Sequence, residues 1–189
     1  MKRSTYFLIL ILSAVSAVAF LPHRTYHLQP ETEFRITGTS SLHDWEITTD
    51  KASGSSSMHL NGNQITDVSS LQFTIPAKSF KSGKKAMDEN TYKALKASEF
   101  PNIKFSISNV KIAQKEGNEA SFSGNGNLTV AGVSQVVQID ATGRVDGGKI
   151  YFEGKKDLKL TDFNIDPPTA MLGTIKTGNE ITIHYKAVF

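Results

Sequence analysis

From Thr32 onward, short segments with apolar residues at every second position alternate with clusters of Gly, Asn, Asp and Ser. The clearest alternations are Phe34-Ile36, Trp45-Ile47, Leu71-Phe73-Ile75, Ile103-Phe105-Ile107, Leu128-Val130, Val137-Ile139, Ile150-Phe152, Leu158-Leu160 and Ile181-Ile183-Tyr185. The positions between them are mostly polar or charged, so each segment reads as a strand with one buried and one wet face. Asn61-Gly62-Asn63, Lys115-Glu116-Gly117-Asn118, Asp146-Gly147-Gly148 and Thr177-Gly178-Asn179 supply residues that tolerate positive φ, as hairpin turns require. The pattern predicts an all-β domain of about eight or more antiparallel strands, paired up and down in sequence order. Closing such a sheet into a barrel removes its exposed edges, and a two-sheet sandwich is the alternative packing.

One segment departs from the period of two. Met87 to Lys96 has acids at its start, lysines towards its end and Tyr92 to Leu95 at helical spacing, which predicts a short helix near residues 88–97. Asp88 is the expected N-cap and Met87 the expected hydrophobic staple to Tyr92. Pro101 forces Phe100 out of helical geometry and starts the next strand. The connection from Lys78 to Phe100 would carry this helix across one end of the barrel. Ser53-Gly54-Ser55-Ser56-Ser57 reads as a solvated strand or loop.

The beginning of the chain has a different character. Met1-Lys2-Arg3 precedes an almost wholly apolar run from Tyr6 to Val18, and Ala17 and Ala19 stand at the small-residue positions that a signal peptidase reads. Cleavage after Ala19 would leave one domain of residues 20–189. The run is shorter than the ~20 apolar residues that span a bilayer. There is no cysteine, so neither a disulfide nor attachment through a lipidated Cys is available. The formal charge of +3 falls to +1 without Lys2 and Arg3, and the lysines come in pairs rather than runs. Nucleic acid is therefore not the expected partner.

His43-Asp44-Trp45 places an imidazole beside a carboxylate. On a strand, however, His43 and Trp45 face one side and Asp44 and Glu46 the other, so Asp44 would not orient the ring. The five histidines, His23, His27, His43, His59 and His184, contain no His-x-His pair. No metal site, cofactor or catalytic set is therefore expected. The inward candidates are Phe34, Ile36, His43, Trp45, Phe73, Ile75, Phe105, Ile107, Leu128, Val130 and Phe163. These residue types serve equally as a packed core or as the wall of a ligand cavity.

Four stretches together carry a resemblance. They are Gly38-Thr39-Ser40-Ser41-Leu42-His43-Asp44-Trp45; Met87-Asp88-Glu89 through Tyr92 to Glu99-Phe100-Pro101-Asn102-Ile103-Lys104-Phe105; Gly126-Asn127-Leu128-Thr129-Val130-Ala131-Gly132-Val133-Ser134-Gln135-Val136-Val137; and Leu160-Thr161-Asp162-Phe163-Asn164-Ile165. In that order, from Tyr26 to Phe189, the chain resembles the YceI-like family of exported lipid-binding proteins. The resemblance implies an extended antiparallel, lipocalin-like β-barrel whose lumen holds a long isoprenoid-type chain, and a periplasmic or secreted protein. One departure stands at Leu160-Thr161, where relatives often carry a basic residue before the Asp-Phe pair.

The resulting expectation is a non-catalytic carrier or store for a polyisoprenoid or similar long-chain lipid. Lys81, Lys84 and Lys85 are the candidates to meet an anionic head group, a solvated loop surface being their alternative role. A transient membrane contact and a homodimer are the expected partner states. The rival expectation is a structural or interaction protein whose barrel is filled by its own side chains.

Overall fold

The computed structural model describes residues 22–189; the expected leader and its cleavage after Ala19 lie outside the described residues. Strands form at Arg24–His27 (β1), Glu33–Ser40 (β2), Trp45–Thr49 (β3), Ser53–Asn61 (β4), Gln64–Pro76 (β5), Asn102–Ser108 (β6), Lys111–Gln114 (β7), Glu119–Val130 (β8), Val133–Asp146 (β9), Lys149–Lys159 (β10), Thr169–Ala170 (β11) and Ile175–Val188 (β12). One α-helix, Lys85–Ala94 (α1), lies between β5 and β6. All pairings are antiparallel, in the order β1-β4-β5-β6-β8-β9-β10-β12-β2-β3, with β7 on β8 and β11 on β12.

The strands number twelve among the described residues, against the expected eight or so. The additional ones are short (β1, β7, β11) or, in β4, rich in Ser and Gly and so without an apolar alternation. Pairing in sequence order holds for most neighbours; β6 joins β8 and β10 joins β12 past the short β7 and β11, and the order breaks where β1 joins β4 and where β12 joins β2. The β12–β2 pairing brings the beginning and the end of the described residues together and curls the sheet into a lipocalin-like barrel.

Backbone hydrogen bonds outside the strands stitch the seam. Leu28 N–H donates to Gly54 O at 3.1 Å and Gln29 N–H to Val188 O at 2.8 Å. Thr48 and Lys81 exchange two bonds of 2.9 Å, which fasten β3 to the segment before α1. Buried Thr32 accepts from Val188 N–H at 3.0 Å through its hydroxyl.

Alternation explains the core. In β6, Ile103, Phe105 and Ile107 are buried while Asn102, Lys104, Ser106 and Ser108 are exposed. Two apolar clusters result. One packs Met58, Ile65, Val68, Phe122, Ile150, Phe152 and Phe189 at one end of the barrel. Edge-to-face contacts of Phe122 with Phe152 at 4.9 Å and of Phe152 with Phe189 at 6.0 Å help fill it. The other cluster, which includes Phe34, Ile47, Ile75, Phe105, Leu128 and Phe163, surrounds open space.

Two expected features differ. Thr177-Gly178-Asn179 is no turn; it lies inside β12, where the register against β2 shifts between Thr177 and Ile181. A Cβ on Gly178 would stand 2.5 Å from Thr39 Oγ1, so the glycine serves close strand approach at a bulge. The chain reverses earlier, at Met171, Leu172 and Gly173, all with positive φ. The helix also starts earlier than expected, and its N-cap is Lys84 rather than Asp88. Lys96, with φ 49°, ends it.

Candidate ligand-binding cavity

Inward-facing glycines shape the barrel wall. Gly38 pairs with Trp45, Gly54 with Phe73, Gly143 with Phe152 and Gly154 with Tyr185 across their ladders. A Cβ at Gly38, Gly143 and Gly154 would lie 2.3 Å from the Trp45 ring, 2.9 Å from the Phe152 ring and 2.4 Å from the Tyr185 hydroxyl, whereas at Gly54 it would meet backbone, 2.2 Å from Gln72 O. Trp45, Phe152 and Tyr185 therefore lie over the missing side chains of their partners, and Gly54 allows close approach of β4 to β5.

The space left is a cavity of about 450 Å³ with an almost wholly apolar wall. All eleven sequence candidates line it: Phe34, Ile36, His43, Trp45, Phe73, Ile75, Phe105, Ile107, Leu128, Val130 and Phe163. Phe34, Phe73 and Phe105 form a continuous aromatic panel, with ring centroids 4.9 and 5.1 Å apart. The closed end is floored by Phe122, Phe152 and Ala187.

The mouth is framed by α1, whose Met87, Asn90, Thr91, Ala94 and Leu95 face the cavity at helical spacing. Met87 thus faces the lumen, whereas Tyr92 turns to the Phe80–Lys81 segment, and the expected staple between them does not form. Asp88, one turn into the helix and buried, reaches back to accept from Ser82 N–H at 2.8 Å and Ser82 Oγ at 2.7 Å. The Ser82 hydroxyl, and then Lys81, hold its carboxyl below the usual value. Lys81 Nζ donates to Tyr92 Oη at 2.6 Å and stands 3.8 Å from Asp88. Tyr92 Oη in turn donates to Phe80 O at 2.9 Å. This network fixes the helix over the opening, and it occupies Lys81. Of the three lysines expected to meet a head group, Lys84 alone lines the cavity.

His43 and Asp44 precede β3, so the strand alternation expected for them does not apply. The conclusion drawn from it still holds: His43 Nδ1 meets the backbone oxygen of Asp44 at 2.6 Å, not its carboxylate. Trp45 Nε1 donates to Thr39 O at 2.9 Å, which satisfies the one polar atom of an otherwise apolar wall residue. Deeper in, Tyr185 Oη donates to the Asp140 carbonyl at 2.7 Å. Burial, reinforced by the Asp140 charge, pushes this phenol up to about 12, so it remains a neutral donor.

Sequence reasoning passed over several wall residues. Leu158, Val137, Ile139, Ile181, Ile183 and Tyr185 lie on strands whose alternation was legible, Leu160 follows β10 in a 3-10 turn, and all line the cavity. Lys156 also lines it, and its place between Gly154 and Leu158 in the period of two was the available signal.

Comparison with known proteins places this architecture. The YceI-like domain family matches residues 18–189. The chain belongs to the YceI-like family. Among solved structures, Burkholderia cenocepacia BcnA is similar with a TM-score of 0.67 at 20% identity, covering 86% of this chain and 99% of that one. A polyisoprenoid binding domain from Saccharophagus degradans, described as implicated in plant cell wall breakdown, gives 0.66 at 10% identity, covering 87% and 98%. The Campylobacter jejuni YCEI protein gives 0.51 at 20% identity, covering 72% and 80%. At these identities the likeness is one of fold. No curated protein matches the chain.

Proposed function

We propose that this YceI-like protein is a non-catalytic carrier or store for a long apolar lipid of isoprenoid type, held in the barrel lumen. The observation that carries this reading is the contrast between the two ends of one barrel. One is packed with Phe122, Phe152 and Phe189, and the other is an apolar cavity of about 450 Å³ beneath a helix. A barrel that acted only through its surface would gain stability by filling that end as well. The polyisoprenoid-binding relative of the same fold supports the ligand class. One chain supplies the whole wall, so the reading needs no second copy.

Retention rests on area removed from water, at about 25 cal/mol per Å², or ~0.8 kcal/mol per buried methylene. Affinity measured through Trp45, the single tryptophan, should therefore rise steeply from ten- to fifteen- to twenty-carbon prenyl alcohols, about two to three orders of magnitude per isoprene unit at most. An affinity indifferent to chain length would refute lumen binding.

The carrier works outside the cytoplasm, in the periplasm or beyond, after removal of a leader ending at Ala19. Mass analysis of protein from the native host should give a chain starting at Phe20; an intact Met1 would contradict export by cleavage. Its loading contact is the exposed apolar tip beside the mouth. Leu42 is 66% exposed, Met171 73%, and Leu172 fully so. Ser41 N–H donates to Lys176 O at 2.9 Å, and Lys176 N–H donates to Ser41 Oγ at 3.0 Å, joining the two loops that carry them. Lys176 on this tip and Lys84 across the mouth suit the anionic face of a bilayer, from which such a lipid would enter.

A further inference from the structure

We infer that Lys156 is an anchor for an anionic group carried inside the lumen, so that the cargo is an apolar chain ending in a phosphate or carboxylate rather than a neutral lipid. The inference rests on the carrier reading and narrows its ligand class.

Lys156 occupies an inward position of β10, between Gly154 and Leu158, and its outward neighbours Lys155 and Asp157 are exposed. Across the ladders it stands opposite Ile183 of β12, which pairs with Ile36 of β2, which pairs with Ile47 of β3. A lysine thus completes a rung that is otherwise isoleucine on three successive strands. The next rung towards the mouth holds Leu158, Ile181, Gly38 and Trp45, so Lys156 lies deeper than the indole.

Nothing among the described residues answers this cation. Lys156 has no hydrogen bond or ion pair with any described residue, although the lysines at 51, 81 and 149 each have a partner. Its ammonium is not sealed in protein either, since no buried polar atom lacks a partner among the described residues. The β9–β10 ladder ends at Gly154–Ala141, so Lys156 is paired on the β12 side alone. The charged residues of the wall have the same sign: Lys84 and Lys156 line it, and no Asp or Glu does.

A wall built only for packing would place an apolar residue here, because an ammonium over an apolar lumen loses hydration when a chain fills that space, and only a counter-charge restores it. A lysine stem lies well along an apolar wall while its head seeks a polar group. An anion at the end of a prenyl or acyl chain supplies that group and makes charge-assisted bonds with the ammonium. The chain then fills the space towards the Phe34–Phe73–Phe105 panel.

The test compares geranylgeranyl phosphate with geranylgeraniol, which share one chain, by Trp45 fluorescence in the full-length mature protein. Wild type should bind the phosphate at least tenfold more tightly. K156M, which keeps the stem, should bring the two within about threefold by weakening the phosphate more than the alcohol, and K156R and the outward control K155M should keep the preference. Palmitate, tested in parallel, identifies the source of the charge: Lys156-dependent binding extends the site to carboxylates, and its absence confines it to phosphates. Equal binding of phosphate and alcohol by wild type, or an undiminished preference in a folded K156M, would overturn the anchor and leave the carrier reading standing. Failure of both prenyl probes to bind wild type would overturn the carrier reading as well.

Discussion

Gly38 stands directly opposite Trp45 on the β2–β3 ladder, and the indole occupies the space that a side chain at residue 38 would need. This pair sets the width of the mouth: the ring lies along the wall because residue 38 has no Cβ, and its Nε1 is held by Thr39 O. In G38A the added carbon, 2.3 Å from the ring as it stands, would lift the indole into the opening. The expected cost is about 1–3 kcal/mol of stability, with a shift in Trp45 emission and weaker lipid binding. Urea denaturation and fluorescence check this; an unchanged emission spectrum would show that the ring does not depend on Gly38.

The two ends of the barrel should respond differently to added bulk. A120L enlarges a residue only 2% exposed in the filled cluster and should cost about 1–3 kcal/mol. I183F adds volume on the hollow side, where Ile183 faces the cavity, and should cost less than about 1 kcal/mol while reducing lipid uptake. Equal penalties in thermal denaturation would mean that the lumen is not hollow.

Asp88 holds the mouth helix to Ser82, so D88N should loosen it. Lipid release, followed by Trp45 fluorescence, is expected to accelerate several-fold, with a modest loss of stability. Because the folded carboxyl lies below its ordinary 3.8, the unfolded chain binds its proton first as pH falls. The contribution is therefore complete above about pH 5 and declines as pH drops through 3.8 towards the folded value. The stability gap between wild type and D88N should shrink over that window; a gap independent of pH would assign it to something other than the Asp88 charge.

The hairpin tip offers a separate test of loading. Replacing Met171 and Leu172 with Ser removes two exposed apolar side chains outside the packed core, so stability should change by less than about 0.5 kcal/mol. Transfer of a prenyl lipid from anionic vesicles should slow at least fivefold, while binding of the free prenyl alcohol stays the same. Unaltered transfer would remove the tip from the loading step.

Much of this architecture was legible because strands with one wet face write their burial into every second residue. Phe34, Ile36, Phe73, Ile75, Phe105, Ile107, Leu128 and Val130 could be placed inward from that period alone, and the cavity wall includes each of them. What the period could not show was space. Whether Tyr185 fills the lumen or lies along its wall depends on Gly154 across the ladder, and that register joins residues 31 positions apart in sequence. Glycine was read as turn punctuation, which is correct at Gly62 and Gly147 with their positive φ and misleading at Gly178; the close approaches at Gly38 and Gly154 carried no signal in the period of two. Asp88 was misplaced for a related reason: its partner is Ser82, beyond the helix start, where local capping rules do not reach.

The central claim is that the hollow end of the barrel holds a lipid, and native mass spectrometry of mature protein purified from its own host tests it most directly, followed by extraction of whatever dissociates. The account predicts one prenyl-type molecule per chain in wild type, diminished in I183F. A bare polypeptide mass, unchanged after incubation with isoprenoid quinones, polyprenols and prenyl phosphates, would contradict it and leave a partly hollow barrel that acts through its surface.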